Sequence, residues 1–339
     1  MKNYLLKDEN AVYYECGFSC DNEIFIKLGN EAYFITDSRY TLEAKEHIKN
    51  AEVIEAEKDL ISTAKDLIKR VKKISFDPNN WSVSDFTKLS EDLKTSFKHE
   101  ANFSHQKRII KSEKEIKIIK KAVSLGAKAF DKFALHLQKK GVDKSEQWLF
   151  FDAIEKFQKH GKYNLSFDPI IALNENAAKP HALPSKKRLN YRDLILVDAG
   201  LKYKRYCSDR TRTASFSKNI SFSKEQNFSS KKEQKIYDTV LKAQESAIKK
   251  VKAGIKAKKI DQAAREVIEK AGFGKFFIHS TGHGVGLDIH ELPYISQKSE
   301  IILEENMIFT IEPGIYIPNE FGVRIEDMIQ VTSNGMEIL

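Results

Sequence analysis

Four acidic residues and one histidine in the second half of the chain have the types and spacing to hold divalent cations: Asp198, Asp209, Glu312, Glu326 and His283. In "LILVDAGLKYKRYCSDRTRTASF" two strand-like runs flank a polar middle, and a hairpin with Tyr203 and Lys204 at its tip sets Asp198 opposite Asp209. Opposed residues of an antiparallel pair have Cβ atoms about 4.5 to 5.5 Å apart, where two bare aspartates repel. The construction recurs in "MIFTIEPGIYIPNEFGVRIEDMIQVT", where a loop centred on Asn319 sets Glu312 opposite Glu326. A salt-bridged surface ladder would account for either pair alone. These strands are apolar, however, and place no Lys or Arg opposite the acids. Two dications would cancel the four charges, and metals about 3.5 to 4 Å apart can activate one water between them.

The segment "STGHGVGLDIHELP" supplies the imidazole. Gly282 and Gly284 leave room for His283 to approach such a centre where a bulkier backbone could not. His290 lies seven residues on and cannot share a helical face with His283 at i, i+4 spacing, which excludes a helical zinc-binding pair. One histidine is thus expected to ligate and the other to serve the substrate. His47, His99, His105, His136 and His160 lack this context and read as ordinary hydrogen-bonded residues.

These residues need a framework of strands, and the chain supplies one in its second region. Residues 1–108 read as a small α/β unit: "NEIFIKLG" and "AYFITDSR" alternate as strands about a Gly29-Asn30 turn. "TLEAKEHIKNAEVIEAEKDLISTAKDLIKRVKK" reads as helical throughout, and "ISFDP" as extended. Near residue 108 a polar stretch marks a seam. Ser112 with Glu115 then forms a capping box, and Ile116, Ile119, Val123, Ala127 and Phe130 mark one face of a long helix. Further helices follow in "SEQWLFFDAIEKFQKHG" and over 233–271, with strands late and in pairs. Residues 215–232, where Ser-Phe-Ser-Lys occurs twice, have the polarity of a mobile surface loop.

Composition narrows the classes of function. The 339 residues suit two domains with ample core, 31% charged and 41% hydrophobic. The net charge of +9 raises the question of nucleic acid. Most of the excess is lysine on amphipathic helices, the usual solvated face, and neither nucleic acid nor membrane is expected as a partner. Cys16, Cys20 and Cys207 do not make a disulfide scaffold, and no signal-like or membrane-spanning run occurs, so a reducing cytoplasm is the expected home.

In order, "VDAGLKYKRYCSDRTRT", "HSTGHGVGLDIHELP", "IEPGIYIP" and "GVRIEDM" resemble the pita-bread metallopeptidases, in their aminopeptidase P and prolidase branch. The likeness covers residues 113–339, and "AYFITDSRYTLEAKE" resembles the creatinase-type N-terminal domain of the same branch. The resemblance implies an α+β architecture: a creatinase-like α/β domain over 1–108, then a pita-bread catalytic domain over 109–339 with antiparallel sheet flanked by helices. It places the five metal ligands on Asp198, Asp209, His283, Glu312 and Glu326, with Asp209 and Glu326 as bridges. Asp198 would complete one metal, and His283 with Glu312 the other. His181 in "NAAKPHALPS", His279 and His290 are implied to bind substrate, with His181 and His290 also handling protons, and Arg324 to support the ligands.

The activity implied is that of an Xaa-Pro aminopeptidase: hydroxide bridging two divalent ions attacks the bond before a proline at the second position, and Glu312 relays the proton. Four oxygen-ligand residues and one imidazole make Mn²⁺ the first choice, with Co²⁺, Zn²⁺ and Fe²⁺ also accommodated. A homodimer is implied, in which the N-terminal domain helps enclose a neighbouring site. The rivals are a prolidase restricted to dipeptides, which needs a positive group for the substrate carboxylate, and a non-enzymatic pita-bread binding protein. Retention of all five ligand types argues against the latter and against metal-free creatinase-like chemistry. Methionine aminopeptidase shares the metal core but lacks such an N-terminal region. One departure is "IALNEN", where relatives commonly read Ser-Gly before the Asn. Ala172 and Leu173 are thereby expected at the edge of the substrate pocket, leaving the preference for the residue before proline open.

Overall fold

A computed structural model describes residues 2–339, and the chain divides into one compact unit ending at Lys107 and another beginning at Arg108. The first unit has β1 (Tyr4–Leu6), α1 (Glu9–Cys16), β2 (Glu23–Leu28), β3 (Glu31–Thr36), α2 (Thr41–His47), β4 (Glu52–Glu55), α3 (Leu60–Ile68), β5 (Lys73–Phe76), α4 (Val83–Ser90) and β6 (Ser96–His99). The strands form one sheet in the order β4-β3-β2-β1-β5-β6. The Gly29-Asn30 turn joins β2 to β3, with Leu28 opposite Glu31 and Gly29 at a φ of 61°. β4 corrects the expectation of helix across 41–73. Val53 and Ile54 are β-branched and pair in parallel with Phe34 and Ile35, so the sheet edge overrides the charged flanks.

The short helix α5 (Phe103–Arg108) runs across the division, and α6 (Glu113–Lys140) follows. The Ser112 side chain accepts from the Glu115 N–H while Glu115 accepts from the Ser112 N–H, the reciprocal cap expected there. Its buried face includes Ile116, Ile119 and Phe130 but runs through Ala122, Gly126 and Ala129, leaving Val123 and Ala127 half-buried. Next come α7 (Glu146–Gln158), β7 (Asn164–Leu165), β8 (Ile170–Leu173), β9 (Leu194–Asp198), β10 (Leu201–Tyr203), β11 (Tyr206–Cys207) and β12 (Thr211–Ser215). After α8 (Lys231–Lys250) and α9 (Lys258–Lys270) come β13 (Gly282–Gly284), β14 (Glu291–Ile295), β15 (Ile308–Ile311), β16 (Gly314–Ile317), β17 (Phe321–Arg324), β18 (Asp327–Thr332) and β19 (Gly335–Ile338).

All strand pairs of the second unit are antiparallel, in the orders β12-β9-β8, β11-β10-β7, β14-β13-β15-β18-β19 and β16-β17. Two apolar cores hold them: Phe130, Phe133 and Leu149 of α6 and α7 pack with Ile171, Ile195 and Val197, and Ile236, Val240 and Ile260 of α8 and α9 pack with Phe309, Ile311 and Val323. Residues 216–230 are irregular but anchored, since Phe216, Ile220 and Phe222 are buried in the first of these cores. Among the described residues no helix is long and apolar enough to cross a membrane.

Candidate metal centre

The first acidic hairpin forms, but in a register two residues from the one expected. Asp198 faces Thr211, not Asp209, because the turn is made by Lys204 and Arg205, with Tyr203 opposite Tyr206. Both turn residues adopt left-handed conformations, φ 49° and 70°, which the right-handed strand twist favours in a two-residue turn even without Gly or Asn. A slip of two leaves every side chain on its original face, so Asp209 remains on the side of Asp198.

The second hairpin has the expected register. Gly314 faces Arg324 in β16–β17, and Ile311 faces Asp327 in β15–β18, one continuous alignment that places Glu312 across from Glu326. Pairing lapses at that point. Pro313 has no N–H to donate, and the acids bond to other strands: the Glu312 N–H donates to the Thr281 carbonyl (2.8 Å) and the Glu326 N–H to that of Thr211 (3.1 Å). The break therefore joins the His283 strand to the Asp198 hairpin.

His283 sits mid-strand in β13, with its N–H donating to Thr310 Oγ1 at 3.1 Å. The flanking glycines are required by space: a Cβ on Gly282 would lie 1.9 Å from the Thr310 carbonyl oxygen, and one on Gly284 2.1 Å from that of Leu292. His283 Nδ1 lies 3.1 Å from the Gly284 carbonyl, which can only accept, so Nδ1 carries a proton and Nε2 is the nitrogen turned toward the acids. Nε2 stands 3.3 Å from Glu312 Oε1 and 3.7 Å from Asp209 Oδ2. Asp209, His283 and Glu326 each offer a donor atom within 4.8 Å of the others, and all three are buried. Asp198 and Glu312 adjoin them.

Arg324 donates to Asp198 Oδ2 (2.7 Å), Thr211 Oγ1 (3.0 Å), the Tyr316 hydroxyl (2.8 Å) and the Pro180 carbonyl (3.2 Å). Thr211 in turn donates to Glu326 Oε2 at 2.7 Å. Asp198 Oδ1 and Asp209 Oδ1 are buried with no hydrogen-bond partner among the described residues. Burial and the Glu326 charge push the Asp209 carboxyl well above its ordinary range, and burial and Glu312 do the same to Glu326. Burial also raises Asp198 against the pull of Arg324. For Glu312, burial opposes charge, but the His283 hydrogen bond prevails and holds it at about 2. Four carboxylates share one guanidinium, and two of their oxygens are left without a hydrogen-bond partner among the described residues. This donor set fits divalent cations.

All nine residues singled out from the sequence line one cleft of about 480 Å³: His181, Asp198, Asp209, His279, His283, His290, Glu312, Arg324 and Glu326. The His290 ring stands edge-on to that of His283, centroids 4.3 Å apart, and burial followed by the proximity of His283 lowers its pKa. His279 Nε2 meets the Tyr316 hydroxyl at 2.8 Å, and burial lowers its pKa as well. Glu291 is not part of this cleft. It is buried against Lys111, 2.9 Å from Oε2. Contrary to the expectation from the resemblance, Ala172 and Leu173 do not border the cleft but are buried in β8; Pro169, Ile170 and the 180–184 segment form that wall.

Tyr316 was not among the residues expected, although alternation along β16 puts it on the face of Glu312 and Gly314. A Cβ on Gly314 would come within 2.5 Å of its hydroxyl, so that glycine makes its room. Thr211 and Glu146, also not expected, carry no local signal in the sequence.

The chain belongs to metallopeptidase family M24, whose family model matches residues 117–333; the model of the creatinase/prolidase N-terminal domain matches residues 1–111. A Bacillus subtilis (strain 168) protein described as an uncharacterized peptidase is 36% identical over 334 residues, 98% of this chain and 91% of its own. The structure of an Xaa-Pro dipeptidase from Bacillus anthracis superposes with a TM-score of 0.90 at 33% identity, covering 99% of this chain and 92% of that one. An X-Pro aminopeptidase from Thermotoga maritima gives 0.87 at 34% identity, covering 100% and 95%. The chain is a metal-dependent peptidase of pita-bread fold.

Proposed function

We propose that this enzyme is an Xaa-Pro aminopeptidase, releasing the first residue from peptides that continue beyond a proline at position two. Asp198, Asp209, His283, Glu312 and Glu326 would hold two divalent cations, Mn²⁺ by the hardness of the donor set, which supply polarisation of the scissile carbonyl and of the attacking water. Glu312 takes the proton of that water and passes it to the leaving imide nitrogen. His290, kept neutral by burial, donates a hydrogen bond to the developing oxyanion, and His181, which lines the same cleft, contacts the peptide. Phe167, Pro169, Ile170, Pro180 and Pro184 give the cleft an apolar wall suited to a pyrrolidine ring, whose nitrogen has no N–H to be read.

One observation carries the choice of a longer substrate. Among the described residues lining the cleft, Arg324 is the one cation besides the histidines, and it is committed to Asp198, Tyr316 and Pro180. The terminal carboxylate of a dipeptide would lose water without gaining a partner. The name of the Bacillus anthracis relative favours a second reading, a dipeptidase. Measuring kcat/KM for Xaa-Pro against Xaa-Pro-Yaa with metal-stripped protein and added Mn²⁺ separates the two. At least a tenfold preference for the tripeptide, about 1.4 kcal/mol, is expected; equal or faster cleavage of the dipeptide establishes the dipeptidase.

A further inference from the structure

Glu146 is the first residue of α7, where an acidic side chain ordinarily lies on the surface beside the helix N-terminus. Here it is fully buried. Oε1 accepts from the Leu173 N–H at 2.7 Å; Oε2 accepts from the Ser185 N–H at 2.7 Å and from Asn176 Nδ2 at 2.8 Å. Among the described residues no Lys or Arg pairs with it, so these three donors and the helix terminus satisfy its oxygens.

The donors define what the carboxylate does. Leu173 and Ser185 are the two ends of one excursion of the chain, and a single carboxylate pins both. Asn176, inside the excursion, also donates Nδ2 to the Leu183 carbonyl at 3.0 Å, tying its two limbs together. Across the segment, Gly322 of β17 approaches so closely that a Cβ would lie 2.0 Å from the Ala177 carbonyl, and Arg324 holds the Pro180 carbonyl. The segment delivers Pro180, His181, Leu183 and Pro184 to the cleft. His181 itself is exposed and has no hydrogen bond of its own among the described residues, so its place is inherited from the backbone.

We infer that Glu146 is a positioning residue for His181: from outside the cleft it clamps the 173–185 segment that carries this imidazole to it. This rests on the reading of the cleft as a proline-peptide site. Glu146→Gln is the sharpest probe, because its amide must turn an N–H toward Leu173 or toward the Ser185 and Asn176 donors. The clamp then opens at one end.

The test is a double-mutant cycle in Mn²⁺-loaded enzyme on Xaa-Pro-Yaa, with E146Q made in the wild-type and His181→Ala backgrounds. In the wild-type background E146Q is expected to lower kcat/KM about twentyfold, chiefly through KM, and in the H181A background by less than twofold. Amide exchange at Leu173 and Ser185 should quicken in both backgrounds. Should E146Q fail to fold, Asn176→Ala removes one strut and is expected to cost about fivefold, again only when His181 is present. An inactive wild type would refute the proposed function itself. With an active wild type, an H181A enzyme of undiminished activity, or an equal loss from E146Q or N176A in both backgrounds, would overturn the positioning role.

Discussion

Replacing Gly284 with alanine tests how the histidine reaches the acidic centre. The new methyl carbon would stand 2.1 Å from the Leu292 carbonyl oxygen, 2.4 Å from its carbon and 2.8 Å from the Glu291 oxygen. All three atoms are backbone, so no side chain can rotate away. Ordinary contact begins near 3.4 Å, and β13 must therefore withdraw by about 1 Å. Gly284 is paired with Glu291 of β14 on one side and Phe309 of β15 on the other, so withdrawal loosens both ladders. Overpacking costs about 1 to 3 kcal/mol, and two weakened backbone hydrogen bonds add about 1 kcal/mol each. For a unit of this size, at about 2 to 4 °C per kcal/mol, the melting temperature should fall by about 10 °C. His283 moves with its strand, and Nε2 leaves its 3.3 Å approach to Glu312. Calorimetry of metal-stripped G284A would read the first effect and Mn²⁺ titration the second, expected as at least a tenfold loss of affinity. A variant melting within 2 °C of the wild type with unchanged Mn²⁺ affinity would refute the steric argument.

The acidic centre makes a prediction of opposite signs. Asp209→Asn removes a buried charge facing Glu326, so the metal-stripped variant should melt a few degrees higher than the wild type while peptide hydrolysis falls below detection; retained turnover would count against ligation by Asp209. In the wild type, Mn²⁺ at about a hundred times its dissociation constant should add about 2.7 kcal/mol, a rise of about 5 to 10 °C. Both D209N and Glu326→Ala should lose most of that rise in a thermal-shift titration. Burial pushes the Cys207 thiol up to about 12, so at pH 8 only about one thiol in ten thousand is ionised, against roughly a quarter for a free cysteine near 8.5. Cys207 should therefore resist a disulfide reagent in folded protein and react at once in denaturant; rapid labelling in the native state would contradict its burial.

How much of this could be read in advance varies residue by residue. The Glu312 and Glu326 pairing was legible because one polar loop at Asn319 separates two apolar runs, fixing the register. The Asp198 hairpin lies two residues from the register its sequence suggests because its turn falls on Lys204 and Arg205, types that carry no turn signal. Strand β4 escaped because a four-residue run between charges has no periodicity of its own and depends on a neighbouring edge. Glu146 was invisible for a different reason. As a first-turn acid it looks like any solvated helix start, and its partners lie 27 to 39 residues away. Local pattern identifies which residues alternate on a face, whereas the burial of a polar group is decided by segments distant in sequence.

The break at Glu312 and Glu326 also bears on the order in which the enzyme is made. The acids and the histidine come from strands that are distant along the chain, and each glutamate is tied by its backbone to an element formed earlier in sequence. A nascent chain that has not yet released residue 326 from the ribosome has the histidine and both aspartates but lacks the last of the five proposed ligands. Cations would thus be captured by the finished second unit, and would act as a latch on a completed fold, not as a seed around which it condenses.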